Sequence, residues 1–495
     1  MSSRQMVDKS VVNILWSYLS FVSTKALNLI SIIIVARYLS PAEFGVMAFG
    51  LIVIGYFEHL QGFGLGAYLI STRDDIAEAA EAVFAFAVSV SALLFMVMWF
   101  GSDTLAGWLD QPELGDILRF LSIALLIESA ASVHSSLLQR DLKFRLKIFP
   151  EVARGLVKGL LSITLAIMGY GVWSLAYGYV AGTAAWTLVL LVMRPWRPRR
   201  LPRLPVLLGA LRYGGNILIA DLCNTLRASL DSIMVGKILG PAALGLFAVA
   251  QRMPALALKT FSVEATKVIH PVMSQMQADK SMLQTYYYGL VRYQCLLMLS
   301  AGVTIALMTE PLITLLYTQE WRGVIAPMQI LSIAFAFATI NMLPGAVYKA
   351  INRSDYFLLT SAISLPIIAA VMWIAVPYGV EAVAFGHLVL VFLNYVPNFL
   401  ILRRVIGVDA APTVRATLPG LACALGTAAG GLAARVLSPD NAFAMLALTV
   451  AGAGAAYLLM LRLMAPEVFR ELRRLLDKVR RRRDKRNALP QEPAE

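Results

Sequence analysis

Runs of roughly 20 or more apolar residues follow one another from about Val11 to Ala465, parted only by short polar breaks. A helix rising about 1.5 Å per residue needs about that length to cross a hydrocarbon core of about 30 Å. The pattern predicts an all-α polytopic membrane protein with about fourteen transmembrane helices. They fall near 11–36, 42–69, 79–101, 116–138, 148–169, 172–193, 211–236, 242–270, 286–308, 325–349, 356–377, 380–402, 413–437 and 441–465. The first follows Arg4 and Lys9 but is far longer than a signal-peptide core and lacks an Ala-x-Ala pattern, so it is expected to span. With 59% hydrophobic and 15% charged residues, no soluble catalytic domain is left over.

The formal charge of +13 is accounted for by topology rather than by nucleic acid. With the N-terminus inside, Arg140 to Lys147, Arg194 to Arg203, Arg403 with Arg404, and the tail are all cytoplasmic, and so are both termini. The loop with Asp103, Asp110, Glu113 and Asp116 faces outward. The cysteines Cys223, Cys295 and Cys423 sit inside apolar runs and read as small hydrophobes, not as disulfides or metal ligands.

One stretch occurs twice, two hundred positions apart. Val35-Ala-Arg37-Tyr-Leu-Ser-Pro41-Ala-Glu-Phe-Gly45 aligns without a gap on Val235-Gly-Lys237-Ile-Leu-Gly-Pro241-Ala-Ala-Leu-Gly245. Each copy is a helix end with one cation, a proline that cannot continue the helix, and a glycine in the next run. Tyr170-Gly171-Val172 recurs as Tyr378-Gly379-Val380, and Arg140-x-x-x-Phe144 as Arg353-x-x-x-Phe357. Two homologous six-helix lobes follow, 1–194 and 211–404, joined by a basic linker at 195–210. An even number of spans per lobe predicts parallel orientation, with a substrate path at the interface between them. A helix pair, 405–465, lies outside the repeat; its Gly426-x-x-x-Gly430 and Gly452-x-x-x-Ala456 predict close packing. The segment 466–495 reads as a basic amphipathic cytoplasmic tail on anionic lipid, or equally as a topology signal.

No nucleophile, metal-ligand or nucleotide-binding pattern is present: His59, His134, His270 and His387 sit in separate spans, and Gly62-Phe-Gly64-Leu-Gly66 reads as a helix break or packing site. No catalytic residue, metal or cofactor is expected. Charge inside the spans stands out, because ionisable groups at membrane depth face a cavity or a partner. The candidate substrate-binding cations are Lys25, Arg154, Lys158, Arg227, Arg252, Lys259 and Arg292; the candidate ion-coupling carboxylates are Asp221, Asp231, Glu58 and Glu128. Glu151 with Arg154, and Arg227 with Asp231, can equally pair within their own helices, and Arg252 and Arg292 can snorkel. The polar faces lean cationic, which suits an anionic substrate.

Val35 to Gly45, Leu138-Gln-Arg140-Asp-Leu-Lys-Phe144 and Gly169-Tyr-Gly171-Val-Trp173 together resemble the multidrug/oligosaccharidyl-lipid/polysaccharide (MOP) exporter superfamily, within it the Wzx-type flippases of the colanic-acid-like exopolysaccharide branch. The resemblance implies alternating access and a substrate built as an oligosaccharide on undecaprenyl pyrophosphate, carried across the bacterial cytoplasmic membrane. It also implies membrane lipids, a polysaccharide polymerase and a chain-length regulator as partners, and a groove for the lipid tail at the last helix pair. The alternatives are a cation-coupled multidrug exporter of the same superfamily, an integral membrane glycosyltransferase or polymerase, and a non-transporting scaffold.

Overall fold

The computed structural model describes residues 29–72, 75–141, 146–200, 203–438, 441–470 and 473. Residues 11–28 of the first expected span, Lys25 among them, and most of the basic tail lie outside the described residues.

Among the described residues the chain is helices and connections only. In chain order the helices are α1 (Pro41–Gly62), α2 (Leu65–Ser71), α3 (Ile76–Trp108), α4 (Glu113–Ser129), α5 (Ser132–Arg140), α6 (Ile148–Ile167), α7 (Val172–Met193), α8 (Leu204–Leu239) and α9 (Pro241–Pro254). A π-helical turn, Ala255–Lys259, leads into α10 (Thr260–Gln275). Then come α11 (Lys280–Leu316), α12 (Ile325–Ala338), α13 (Leu343–Ala350), α14 (Ser354–Ala375), α15 (Val380–Ile406), α16 (Ala410–Val436) and α17 (Ala442–Met464). Among the described residues eleven helical runs are long and apolar enough to cross a membrane, or twelve if α4 and α5, bent by 46° to one another, form one span, against the fourteen expected from the full sequence. The expected fifth span coincides with α6, which carries Glu151, Arg154 and Lys158 within its 20 residues and is not among those eleven runs.

Local chemistry explains several boundaries. Ser40 and Glu43 form a reciprocal capping box, with the Ser40 hydroxyl accepting from Glu43 N and the Glu43 carboxylate accepting from Ser40 N at 2.7 Å; Pro41 takes the first helical position, where its missing N–H costs nothing. The break expected at Gly62 to Gly66 is present: α1 ends on Phe63, and Gly64 at φ +66° starts α2. A side chain at Gly64 would also collide with Ile217 and the Gly214 carbonyl of α8, so the break doubles as a packing site.

The chain divides into two compact units. The first comprises the residues up to Ala248 together with Leu316–Trp321; the second comprises Val249–Leu315 and the residues from Arg322 onward. In the first, Leu65, Leu69, Val83, Val133 and Leu137 form one apolar core cluster. Trp321 is fully buried there, donating its indole N–H to the Ala36 carbonyl at 2.9 Å and standing edge-on to Phe44. In the second, α16 and α17 pack so that Gly430 and Gly452 face each other's backbone with no room for a Cβ, as the small-residue spacing predicts. Val468 and Phe469 fold onto Leu296, Cys423 and Leu461, which brings the start of the tail against this unit. Cys295 and Cys423 are buried thiols, whereas Cys223 is exposed.

Candidate functional site

Polar side chains of the first unit gather where α1, α4, α6 and α7 meet. Side chains at Gly178 or Gly182 of α7 would overlap Ser162 or the Arg154 carbonyl of α6, so the two helices lie nearly backbone to backbone. That closeness lays the α6 cations across the α7 aromatics. Lys158 Nζ is 5.4 Å and Arg154 Cζ 5.7 Å from the centre of the Tyr179 ring, within cation–π range. Arg154 also lies 5.8 Å from the Trp186 ring and donates to Thr183 Oγ1 at 3.3 Å.

Carboxylates complete the cluster. The Tyr179 hydroxyl donates to Glu58 Oε1 of α1 at 2.5 Å, and Trp186 Nε1 donates to Glu151 Oε1 at 3.1 Å. Glu151 and Arg154 are thus each turned toward α7 instead of neutralising one another along α6. Glu128, near the end of α4, has a buried Oε2 with no hydrogen-bond partner, in the field of Glu58, Arg154 and Glu151. Among the described residues the site therefore mixes three carboxylates with two cations rather than being purely cationic.

The other sequence candidates fall elsewhere. Asp221 on α8 lies 4.0 Å from His59 Nδ1 of α1, and further along the same seam the Tyr56 hydroxyl and Ser229 Oγ are 2.8 Å apart. Asp231 is buried, its Oδ1 accepting from Ser232 N at 2.6 Å; Arg227, one turn earlier, is exposed. In the second unit Lys259 closes the π-helical turn and places Nζ 3.4 Å from the centre of the Phe335 ring, which stands edge-on to His387. Arg252 is exposed on α9. Arg292 is ion-paired with Glu467 just beyond α17, so it ties α11 to the root of the tail. Lys25 lies outside the described residues. The sequence reading missed Tyr179, Thr183 and Trp186; their positions i, i+4 and i+7 on α7, each with a polar tip, were the available signal.

The duplicated element makes a reciprocal contact inside the first unit. Gly45 abuts the Pro241 carbonyl, and Gly245 abuts the Pro41 carbonyl, each too closely for a Cβ. The two repeat cations behave alike. Arg37 Nε donates to the carbonyl of Leu316, the last residue of α11, at 3.0 Å. Lys237 donates to the carbonyl of Trp108, the last residue of α3, and pairs with Asp110 at 2.6 Å. A cation at a helix C-terminus complements its partial negative charge. Trp108 and Leu316 are 208 positions apart, the same offset as Tyr170 and Tyr378.

Residues 34–326 match the family described as polysaccharide biosynthesis protein. The succinoglycan biosynthesis transport protein ExoT of Rhizobium meliloti is 24% identical over 319 residues, 62% of this chain and 63% of that relative's length. The chain thus spans a little under two thirds of that curated relative. The lipopolysaccharide biosynthesis protein WzxC of Escherichia coli is 21% identical over 408 residues, covering 81% of this chain and 82% of the relative. Among solved structures, the lipid II flippase MurJ in an inward closed conformation superposes with a TM-score of 0.73 at 13% identity, over 92% of this chain and 99% of that one.

Proposed function

We propose, from the premise that the chain belongs to the polysaccharide biosynthesis protein family and has the fold of the MOP superfamily, that it flips an oligosaccharide repeat unit carried on undecaprenyl pyrophosphate. It is a multi-pass protein of the bacterial inner membrane at the level its relatives define. In this reading both termini are cytoplasmic, the glycolipid enters from the inner leaflet and leaves to the outer one, and polymerase and chain-length regulator act downstream.

The observation that carries the reading is the pair Arg154 and Lys158, held over the Tyr179 ring on a helix that the reading takes as a span. A pyrophosphate cannot enter low dielectric without compensating charge and hydrogen-bond donors. Arg154 offers a planar donor fork, and Lys158 a compact ammonium on a mobile stem. Tyr179 and Trp186 hydrogen-bond Glu58 and Glu151, which fixes where these carboxylates sit beside the cations without removing their charge. Lys25 and Lys259 are further candidate substrate cations on sequence grounds, and Glu128 is the group assigned to ion coupling, since its free buried oxygen can hold a proton or a cation.

The reciprocal contact of the duplicated element is assigned to the closed outer gate in an alternating-access cycle. In that state the Gly45 and Gly245 contacts are made and the two cations cap α11 and α3; opening breaks all four together. A drug exporter of the same superfamily is the second reading, favoured only by the three carboxylates of the cluster.

Reconstitution decides between them. Proteoliposomes loaded with a fluorescent undecaprenyl-pyrophosphate oligosaccharide should expose it to an impermeant quencher faster than empty vesicles do. Transport of a cationic dye with no movement of the glycolipid would sink the flippase reading.

A further inference from the structure

We propose that the second unit carries a separate binding site for a phosphate group, in a cavity of about 310 Å³ between the starts of α11 and α14 and the end of α15. Its polar lining is Gln277, Lys280, Arg353, Tyr356 and Arg404. The volume is near the lower end for small-ligand sites, which begin at about 300 Å³, and suits one phosphate with a short polar substituent.

Three cations converge there, and two of them are uncompensated. Arg353 is gripped by Asp355 through two bonds, Nε to Oδ1 at 2.9 Å and Nη2 to Oδ2 at 2.8 Å, with its guanidinium 4.3 Å from the centre of the Tyr356 ring. This fixes the fork in place and neutralises one charge. Lys280 opens α11, and the nearest acid in sequence, Asp279, is spent on capping that helix, accepting from Ser281 N at 2.9 Å and Met282 N at 3.0 Å. Arg404 stands exposed in the last turn of α15 before Gly407 ends it at φ +73°. Neither Lys280 nor Arg404 has a carboxylate partner among the described residues.

The duplicated sequence sharpens the contrast. Arg140, the counterpart of Arg353, donates to the Leu69 carbonyl at 2.6 Å and the Ile70 carbonyl at 3.2 Å, and so closes the end of α2. The second copy instead places its arginine, held by Asp355, at the wall of a cavity where the planar Arg404 guanidinium and the Lys280 ammonium together match phosphate oxygens. By the distribution of basic loops this end of the unit is cytoplasmic, where the phosphate can come from an anionic phospholipid head group or from a soluble phosphate ester. The site is independent of the transport reading.

Full-length protein purified in detergent would be compared with two charge-matched variants, Lys280→Gln/Arg404→Gln inside the cavity and Arg403→Gln/Arg415→Gln outside it. Native mass spectrometry would read retention of phosphatidylglycerol against phosphatidylcholine, and thermal melting would read stabilisation by inorganic phosphate against chloride at equal ionic strength. The expected result is selective retention of phosphatidylglycerol, stabilisation by phosphate, or both, in the wild type and the outer variant, weakened ~10-fold or more in the cavity variant. A response to phosphatidylglycerol alone identifies the lipid as the source; a response to inorganic phosphate identifies a soluble ester. No response of the wild type to either, or equal loss in both variants, overturns the proposal. The single variant Arg404→Gln answers the same question if the double variant does not elute as one species.

Discussion

Gly45 meets the carbonyl of Pro241 with no space for a Cβ, and the same contact is made by Gly245 on Pro41. Each proline fixes the carbonyl at a helix start, so neither side of the contact can yield easily. Gly45→Ala and Gly245→Ala should therefore each cost about 1–3 kcal/mol in the state that holds this contact. If that state is the closed outer gate, the variants should label faster with an impermeant thiol reagent at cysteines placed on the outer ends of α3 and α11. Labelling rates unchanged from the parent would remove the gate assignment.

Arg37→Gln together with Lys237→Gln removes both cations that cap helix ends. Helix-end charge interactions are worth about 0.3–1 kcal/mol each near a surface, so stability should change little. The outer face should nevertheless open more often, seen as a several-fold rise in labelling with normal membrane insertion. Either single variant should give roughly half the effect in free energy, because the two caps lie at different helices.

Lys158→Gln and Arg154→Gln should each lower glycolipid flipping ~10-fold or more, as expected for a charge-assisted contact worth about 1.5–3 kcal/mol. Lys158→Arg should recover part of the loss, since it keeps the charge over Tyr179. Complementation of a deletion strain, with protein level measured in the membrane fraction, is the cheaper version of the experiment. Full complementation by both glutamine variants, and by Lys259→Gln and Lys25→Gln, would exclude the cationic path.

Glu128→Gln keeps the shape of the side chain and removes its charge. Flipping driven by an imposed ion gradient should then be lost, while exchange of glycolipid between leaflets without a gradient persists. Loss of both would mean that Glu128 serves structure or substrate rather than coupling.

Gly430→Leu in α16 should separate it from α17, where Gly452 and Ala456 leave no room. Overpacking of this kind costs about 1–3 kcal/mol. A lowered thermal midpoint of the purified protein, with the same effect from Gly452→Leu, is the expected measurement.

Much of the helix order could be read from the sequence, because spacing of apolar runs is set by bilayer thickness. The break at Gly64 and the α16–α17 packing were legible for the same kind of reason: only glycine serves a left-handed turn or a backbone contact at no steric cost. The polar cluster was legible in part. Glu58, Glu128, Arg154 and Lys158 stood out as charges in apolar runs, but their partners did not, because Tyr179 and Trp186 look like any aromatic residue of a membrane helix. Partner choice was hidden too: periodicity puts Glu151 beside Arg154 along α6, whereas the packing turns both toward α7. The pairing of Arg292 with Glu467 spans 175 positions, and nothing in local sequence announces it. The π-helical turn ending at Lys259 was likewise invisible, since Pro254 alone does not say how a helix absorbs a missing hydrogen bond.

The insertion of Leu316–Trp321 into the first unit also sets a clock on biogenesis. The Ala36 carbonyl waits for an indole 285 residues later in the chain. At a synthesis rate of about 5–20 residues per second, that is a delay of roughly 15–60 s. Most of that interval is taken up by making the first unit itself; once Ala248 is reached, 73 residues, roughly 4–15 s, still separate it from the anchor at Trp321. Early membrane intermediates should therefore be open at the Ala36 end, where a quality-control protease that samples nascent chains would find the carbonyl unpaired.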